Sequence, residues 1–562
     1  MSKKQKPVNF QELYKDDWAV FCQAISEMYT SYIADDTCRN PPAPLDKKDL
    51  NFFNPESKLF YLPWGLYSAG QAAKNDKMAK TVDMVSNRNM KSEYDYEAHI
   101  VGDSGGFQIE TGTIKWEGNK TKERMLRWLE NNCDWSMILD FPTGCLEPFR
   151  RGPNSLYTEY VFDENGDPVM TQIDTEYTDK KGNKKTKKKR VQATEDHILD
   201  FWFCLDRTME NNDYFMDHRD PGKTKFLNVL QGRYHDFSLD EKELEKLNFA
   251  NRTREEQRKL LAEHKISEVD AWYESVKKYS QKEIYGDRTF EGWALAGNHK
   301  NNFDLTLRRI VIMLYDGLLA DKDWMHFLGM GQMAHSCVYT VIQKGVRAHS
   351  LGSPGFTISH DASSGFSSAG AYGLVYHDHR LSKKGWSLRF DRLPDGNQFI
   401  GSKEPLITEN NRTLLDSPLA RMLTMGDLCI NESPKNRCMD KAAYAFLMHH
   451  NCYYLQKAIV EAQALFERSD DEIKDRVPTD LLTIKHILED VFNQSTKEKA
   501  LEIIRRHGTM LRKMSIGNDA GVSLIENSDM FDLGERERYT RSAKSKPDTK
   551  DEFTTVEGII EF

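Results

Sequence analysis

The sequence predicts an α/β fold in which about eight parallel strands, joined by helical crossovers, close as a (β/α)8 barrel with long insertions and a helical C-terminal region. Three observations predict it. Short apolar runs recur along the chain and end in Gly, Asp, Asn or Gln; helical patterns fall between several of them; and 562 residues suffice for a large core plus insertions. An open doubly wound sheet meets the same strand count and is the alternative. In a barrel, residues at the C-terminal strand ends line the site.

The N-terminal segment 1–56 reads as helical, because Phe10, Leu13, Trp18, Phe21 and Ile25 fall at roughly helical spacing. The barrel is expected over 57–413, with strands at 58–64, 81–85, 99–103, 135–140, 226–231, 292–297, 325–330 and 356–361. Helices are expected at 122–131, 304–318 and 334–344. Two insertions interrupt it, at about 150–190 and 239–288. In the first, strand-like 156–162 and 168–178 flank Glu164-Asn165-Gly166-Asp167, a hairpin signal, and eight of the next eleven residues, 180–190, are basic. The second is helical in pattern, over 252–265 and 269–279. A helical region follows over 414–533, then a polar tail, 534–562.

Composition bounds the function. With 39% hydrophobic and 29% charged residues the chain reads as soluble. Its net charge of −9 excludes a generally basic nucleic-acid coat but leaves room for a local patch. No apolar run approaches the roughly 18 residues of a membrane span. Met1-Ser-Lys-Lys-Gln-Lys has no apolar stretch behind it, so no signal peptide is expected. The nine scattered cysteines indicate a reducing compartment, the cytoplasm (a host's, if the chain is viral).

The chemistry concentrates at strand ends. The run Ala98-His99-Ile100-Val101 leads to Asp103, then Ser104, Gly105, Gly106, Phe107 and Gln108. The glycines admit a close backbone approach, and the aromatic and amide suit a flat polar molecule. Alone, this is a strand followed by a glycine turn. Asp140, Gln231-Gly232, Gly297 and Asp361 end four later runs in the same way.

These blocks resemble, in order, those of the queuine/archaeosine tRNA-guanine transglycosylase family. The motif Asp103-Ser-Gly-Gly-Phe-Gln108 is followed by Leu139-Asp140-Phe141, Val229-Leu-Gln231-Gly232, Trp293-Ala-Leu-Ala-Gly297 and Phe327-Leu-Gly-Met-Gly331. His360-Asp361-Ala-Ser363 is similar to the archaeal branch's Phe-Asp-Ser-Ala-Ser, and the likeness spans roughly 57–460. The resemblance implies the barrel and a base exchange, in which guanine is cut from its sugar and a 7-deazaguanine is joined in its place. By resemblance Asp361 is the nucleophile and Asp103 the general acid and base. Asp140 accepts from the guanine N1–H and 2-amino group, Gln231 and the Gly297 N–H donate to O6, and Phe107 stacks on the base. Ser104, Gly106 and Gly232 complete the pocket, and no organic cofactor is implied. The segment 345–355 before the nucleophile is longer than the family pattern.

The family's zinc motif, Cys-x-Cys-x2-Cys with a later His, is not present as such. Cys429, Cys438, His450 and Cys452 are the candidate ligands for one structural Zn2+, against a metal-free region of buried thiols; His449 reads as a helix residue. No terminal region reads as the family's small RNA-binding domain. The chain instead resembles the 7-deazaguanine DNA transglycosylases of phages and bacterial genomic islands, which implies DNA as the polymer, with tRNA the alternative. A homodimer or accessory proteins are compatible with it, a membrane partner is not. A barrel glycosidase with paired carboxylates and a non-catalytic nucleic-acid-binding subunit are the competing classes. For DNA, C1′ is reached only in a flipped or single-stranded nucleotide. Lys184, Lys185, Lys187, Lys188, Lys189 and Arg190 follow the Asp140 strand and are candidate phosphate contacts, against a solvated loop tip. Arg150, Arg151, Lys223 and Lys225 are secondary candidates on the same face.

Overall fold

Eight short strands pair in chain order in the computed structural model, which describes residues 7–81, 83–87, 98–146, 156–178, 182–233, 241–409, 413–435, 437–515 and 559–561. They are β1 (Val20–Ala24), β2 (Trp64–Ser68), β3 (His99–Asp103), β4 (Trp135–Met137), β5 (Lys225–Leu230), β6 (Gly292–Leu295), β7 (Trp324–Phe327) and β8 (Thr357–Ala362). Each runs parallel to the next, and β8 returns to β1 through the pair Asp361 and Cys22. The barrel is therefore closed, and the open sheet is excluded.

Two expected elements are corrected. The barrel's first strand lies inside the segment read as helical: Val20–Ala24 is a strand, and the helices among the described residues there are Phe10–Leu13, Glu27–Ala34 and Lys47–Leu50. A strand covered on both sides is a continuous apolar run without alternation, and in this one the aromatics happen to fall at helical spacing. The expected strand at 81–85 is instead a 3-10 turn, Met78–Lys80, and a short helix, Met84–Asn87. The run at 58–64 divides into Phe60–Tyr61, which pairs with Val8–Asn9, and the start of β2.

The crossover helices are α1 (Asn119–Asn132), α2 (Phe201–His218), α3 (Glu268–Val276), α4 (Phe303–Tyr315), α5 (Met333–Ala348) and α6 (Ser364–Tyr372). An antiparallel hairpin, Leu374–Ser382 with Gly385–Arg392, follows the barrel. Then come α7 (Lys441–Phe466), α8 (Thr479–Phe492) and α9 (Lys497–Arg506). Twenty of the 26 residues of α7 are buried, so its polar groups must find partners inside the protein. Gln456 Nε2 donates to the Phe21 carbonyl at 3.1 Å, Gln463 Nε2 to that of Ala19 at 3.2 Å, and Asn451 Nδ2 to those of Gly365 and Leu374, both at 3.0 Å. These bonds fasten α7 to the entry of β1, to α6 and to the hairpin. Among the described residues no helix is long and apolar enough to cross a membrane.

The first insertion forms a β-ribbon. The Asn165-Gly166 turn is present, capped by Asp163, whose Oδ1 accepts from the Asn165 and Asp167 amides at 2.9 and 2.8 Å. The long strands around it, however, pair with other partners. Leu156–Tyr160 pairs with Thr194–Ile198, and Met170–Thr178 with Lys184–Gln192. Within the basic run, Lys184–Arg190 is thus part of a paired strand and not a loop tip, while Lys180 and Lys181 lie outside the described residues. Arg150 and Arg151 lie outside the described residues, as does most of the polar tail. Lys225 opens β5 and sits over the ring of Trp135, the first residue of β4, at 4.4 Å. Lys223 and Lys225 therefore belong to the N-terminal end of the barrel, opposite the face expected for them.

Candidate active site

Asp103, Asp140, Gln231 and Asp361 meet at the C-terminal strand ends. Asp103 ends β3. Burial pushes its carboxyl above the ordinary carboxylate range, opposed by the Ser68 hydroxyl and the Gly105 amide, while the charge of Asp361 pushes it further up. Two glycines bring the following turn against the neighbouring loops. Gly105 is left-handed, φ 88°, and a Cβ there would stand 2.6 Å from the Gly70 Cα; on Gly106 it would stand 2.1 Å from the Asp140 carbonyl oxygen. Only glycine permits this contact, which brings the backbone of the turn against Asp140. Ser104 is fully buried, and its Oγ has no partner among the described residues. A buried hydroxyl without a partner is costly, so it marks a place where a polar ligand atom is wanted.

Asp140 follows β4. Burial pushes its carboxyl up to about 7; the Gln231 amide works against this and the charge of Asp103 adds to it. Gln231 Nε2 donates to Asp140 Oδ2, its Oε1 accepts from Thr143 Oγ1 at 3.4 Å, and the Gly232 amide donates to that same hydroxyl at 3.3 Å. Gly297, after β6, lies against this pair: a Cβ on it would be 3.3 Å from Gln231 Oε1. A carboxylate and a carboxamide thus stand side by side, an acceptor next to a donor, with Gly297 at their edge.

Asp361 on β8 is held by one oxygen. Its Oδ1 accepts from the Gly329 amide at 2.8 Å and from His326 Nε2 at 3.2 Å, while no protein donor among the described residues reaches Oδ2. His326 on β7 is fully buried, and its Nδ1 meets Ser359 Oγ at 2.8 Å. Ser359 Oγ also accepts from Trp324 Nε1 at 2.7 Å. Because a carboxylate oxygen only accepts, the hydrogen on that side belongs to His326 Nε2; Nδ1 then takes the Ser359 hydroxyl proton. Trp324, Ser359, His326 and Asp361 form one chain of donors and acceptors that ends on the carboxylate. The neighbouring His360 is buried, with Ser336 Oγ at 3.0 Å, and burial lowers its imidazole to about 4.

The sequence reading missed His326, Ser359, Gly329 and Thr143. A lone His in Trp-Met-His-Phe-Leu looks like a core residue, and Ser359 becomes its partner only through the β7–β8 register, which pairs the two.

The candidate zinc ligands do not fit a metal. Both ring nitrogens of His450 are engaged, Nε2 with the Tyr376 carbonyl at 2.7 Å and Nδ1 with Ser417 Oγ at 2.8 Å. Cys438 Sγ donates to Asn397 Oδ1 at 3.0 Å, Cys429 faces Asp395 at 4.0 Å, and burial pushes the Cys452 thiol up. Among the described residues no three His, Cys, Asp or Glu side chains gather in a metal-binding group. His450 and Asn451 instead hold the hairpin and α6 directly.

No protein-family model, curated protein or solved structure matches the chain.

Proposed function

We propose that the protein is a guanine transglycosylase that exchanges guanine in DNA for a 7-deazaguanine of the preQ0 or preQ1 type. The observation that carries the reading is the asymmetry of Asp361: one carboxylate oxygen is anchored by two donors and the other has none among the described residues. Asp361 Oδ2 attacks C1′, the C1′–N9 bond breaks, and its electron pair leaves with the base. Asp103, whose burial favours the protonated form, gives its proton to the departing guanine. The incoming 7-deazapurine then loses its N9 proton to Asp103, and N9 displaces Asp361 from C1′. One glycosidic bond replaces another, so the exchange needs no energy source. Asp140 and Gln231 match the guanine edge, with donors at N1 and the 2-amino group and an acceptor at O6. The buried Ser104 hydroxyl supplies a further contact.

Two near carboxylates also suit a glycosidase. The acceptor–donor pair of Asp140 and Gln231, on glycine-lined backbone, favours a flat heterocycle over a sugar. The test is transfer of labelled guanine into DNA and into tRNA. Incorporation into DNA that disappears in Asp361→Ala is the expected result. Incorporation into tRNA alone moves the polymer assignment to RNA, and none into either overturns the reading.

A further inference from the structure

The amide side of the candidate base pocket is set from behind. Thr143 opens the 3-10 turn Thr143–Leu146, shortly after Asp140. The segment that carries both is fastened to α2: Asn211 Nδ2 donates to the Leu139 carbonyl at 2.7 Å, and the Phe141 amide donates to Thr208 Oγ1 at 2.9 Å. Within the turn, Cys145 Sγ donates to the Pro142 carbonyl at 3.0 Å. Thr143 is thereby held in place, and its β-branch restricts where its hydroxyl can point. Thr143 and Gln231 are 2% and 4% exposed, so their mutual contacts lie out of reach of bulk water.

The protons along this chain fix the Gln231 carboxamide. The Gly232 amide can only donate, so Thr143 Oγ1 accepts from it at 3.3 Å. The one hydroxyl proton then goes to Gln231 at 3.4 Å, and the atom that takes it is the carbonyl oxygen Oε1. Nε2 is thereby turned toward Asp140, where one of its hydrogens goes to Oδ2. Its second hydrogen is left for a ligand. Turned over, the carboxamide would bring Nε2 against Thr143, and the hydroxyl proton would lose the acceptor it has now. It would also set Oε1 against Asp140 Oδ2, two acceptors face to face unless Asp140 holds a proton. Burial favours that proton, with the carboxyl pushed up to about 7; the Gln231 amide opposes it, and the Asp103 charge, facing Asp140 from β3, adds to it. Thr143, Gln231 and Gly297, from the loops after β4, β5 and β6, carry no charge.

We propose that Thr143 determines specificity at position 6 of the base: by holding Gln231 Oε1 it keeps an N–H turned toward that position, which admits a 6-oxo purine and rejects a 6-amino one. The inference rests on the guanine reading above and names how the pocket makes that choice. A 6-oxygen accepts from Nε2, whereas a 6-amino group meets it donor to donor, with no water to relieve the mismatch. Asp140 does not make the choice alone, because a 2,6-diaminopurine keeps the 2-amino donor that Asp140 would accept from. Thr143 acts through Gln231 and is a positioning residue.

Isothermal titration of the full-length protein with 7-deazaguanine and with 2,6-diamino-7-deazapurine, two bases of one size and shape, separates this role from packing. At about pH 6 the parent should prefer the 6-oxo base about 100-fold. Thr143→Val removes the hydroxyl and keeps the shape, so the carboxamide is free to turn over toward a protonated Asp140. The preference should then fall about tenfold, chiefly through tighter binding of the diamino base. At about pH 8 the ionised Asp140 holds Nε2 by itself, and the variant should keep the parent's preference. Thr143→Ser retains the hydroxyl and should behave as the parent at both pH values. If the parent prefers 7-deazaguanine but Thr143→Val keeps that preference at the lower pH, or loses as much of it at the higher, the lock is overturned and the guanine reading stands. A Thr143→Ser protein that loses the preference has the same consequence. A parent that binds neither base, or binds the diamino base as tightly, overturns the guanine reading and the lock with it.

Discussion

At the scale of residues, protons decide what the site can do. Asp140 holds its proton up to about pH 7, because burial and the nearby Asp103 charge both disfavour its carboxylate. A guanine edge presents two donors to it, so the base prefers the ionised form. Affinity for a 7-deazaguanine should therefore rise with pH, about tenfold between pH 6 and 8, and lose that dependence in Asp140→Asn; titration calorimetry at a series of pH values reads both. The same shift has a cost in the empty protein. The unfolded chain gives up this proton near pH 4, so the contribution of Asp140 to stability falls as pH rises from there to about 7. In the proposed reaction His326 acts one atom away from the chemistry, by holding Asp361 Oδ1. His326→Leu should lower kcat on the order of 100-fold with KM for the free base within about threefold, because the pocket is untouched while the nucleophile loses its alignment. His326→Gln keeps a donor for Asp361 and should recover part of the rate. Equal changes in kcat and KM would instead mark His326 as a packing residue. The strand-end residues Asp103, Asp140, Gln231 and Asp361 were legible in the sequence, because each is a polar residue that stops an apolar run. His326 was not, since its meaning depends on Ser359 one strand away.

At the scale of elements, legibility followed burial. β3 to β8 stand out as apolar runs between loops, while β1 was hidden among aromatics at helical spacing, although pairing with β8 makes Val20–Ala24 a strand. The ribbon strand Lys184–Gln192 was equally hidden. Consecutive lysines have little strand propensity, and the Thr, Ile and Tyr residues opposite, with Thr186 and Val191 in the strand itself, supply it. The region that resembled a zinc site shows a further limit: cysteine spacing cannot reveal that His450 spends both nitrogens on Ser417 and Tyr376. There Asn451 does the joining, with Oδ1 accepting from the Tyr376 amide at 2.9 Å and Nδ2 donating to two carbonyls. Asn451→Ala takes one partner from each of those three backbone groups and should cost about 2–4 kcal/mol in urea unfolding. A zinc chelator should leave the unfolding midpoint of the parent protein where it is; a drop in that midpoint would return the region to a metal site.

At the scale of the whole molecule, the proposed function divides the work between the barrel, for the base, and the ribbon, for the polymer. The pocket residues come from β3, β4, β5, β6 and β8 and their loops, whereas the basic strand Lys184–Gln192 belongs to one insertion, which meets the barrel loops at Tyr157 and Gln192. This makes the ribbon separable. Tyr160 and Thr194 are opposed in an antiparallel pair, so excising 161–193 and joining the two through Asn-Gly restores a two-residue hairpin of the favoured kind. The root strands, with Tyr157 against Phe141 and Phe203, remain in place. The shortened protein should melt within a few degrees of the parent and bind a free 7-deazaguanine with the same affinity, because no pocket residue lies in the excised stretch. Its kcat/KM for DNA should fall at least tenfold at 0.1 M salt, and its residual activity should depend less steeply on salt, since the excised stretch removes the basic run Lys184–Arg190. A shortened protein that lost base affinity along with DNA would show that the ribbon shapes the pocket. One that kept full activity on DNA would place the polymer contact elsewhere on this acidic molecule.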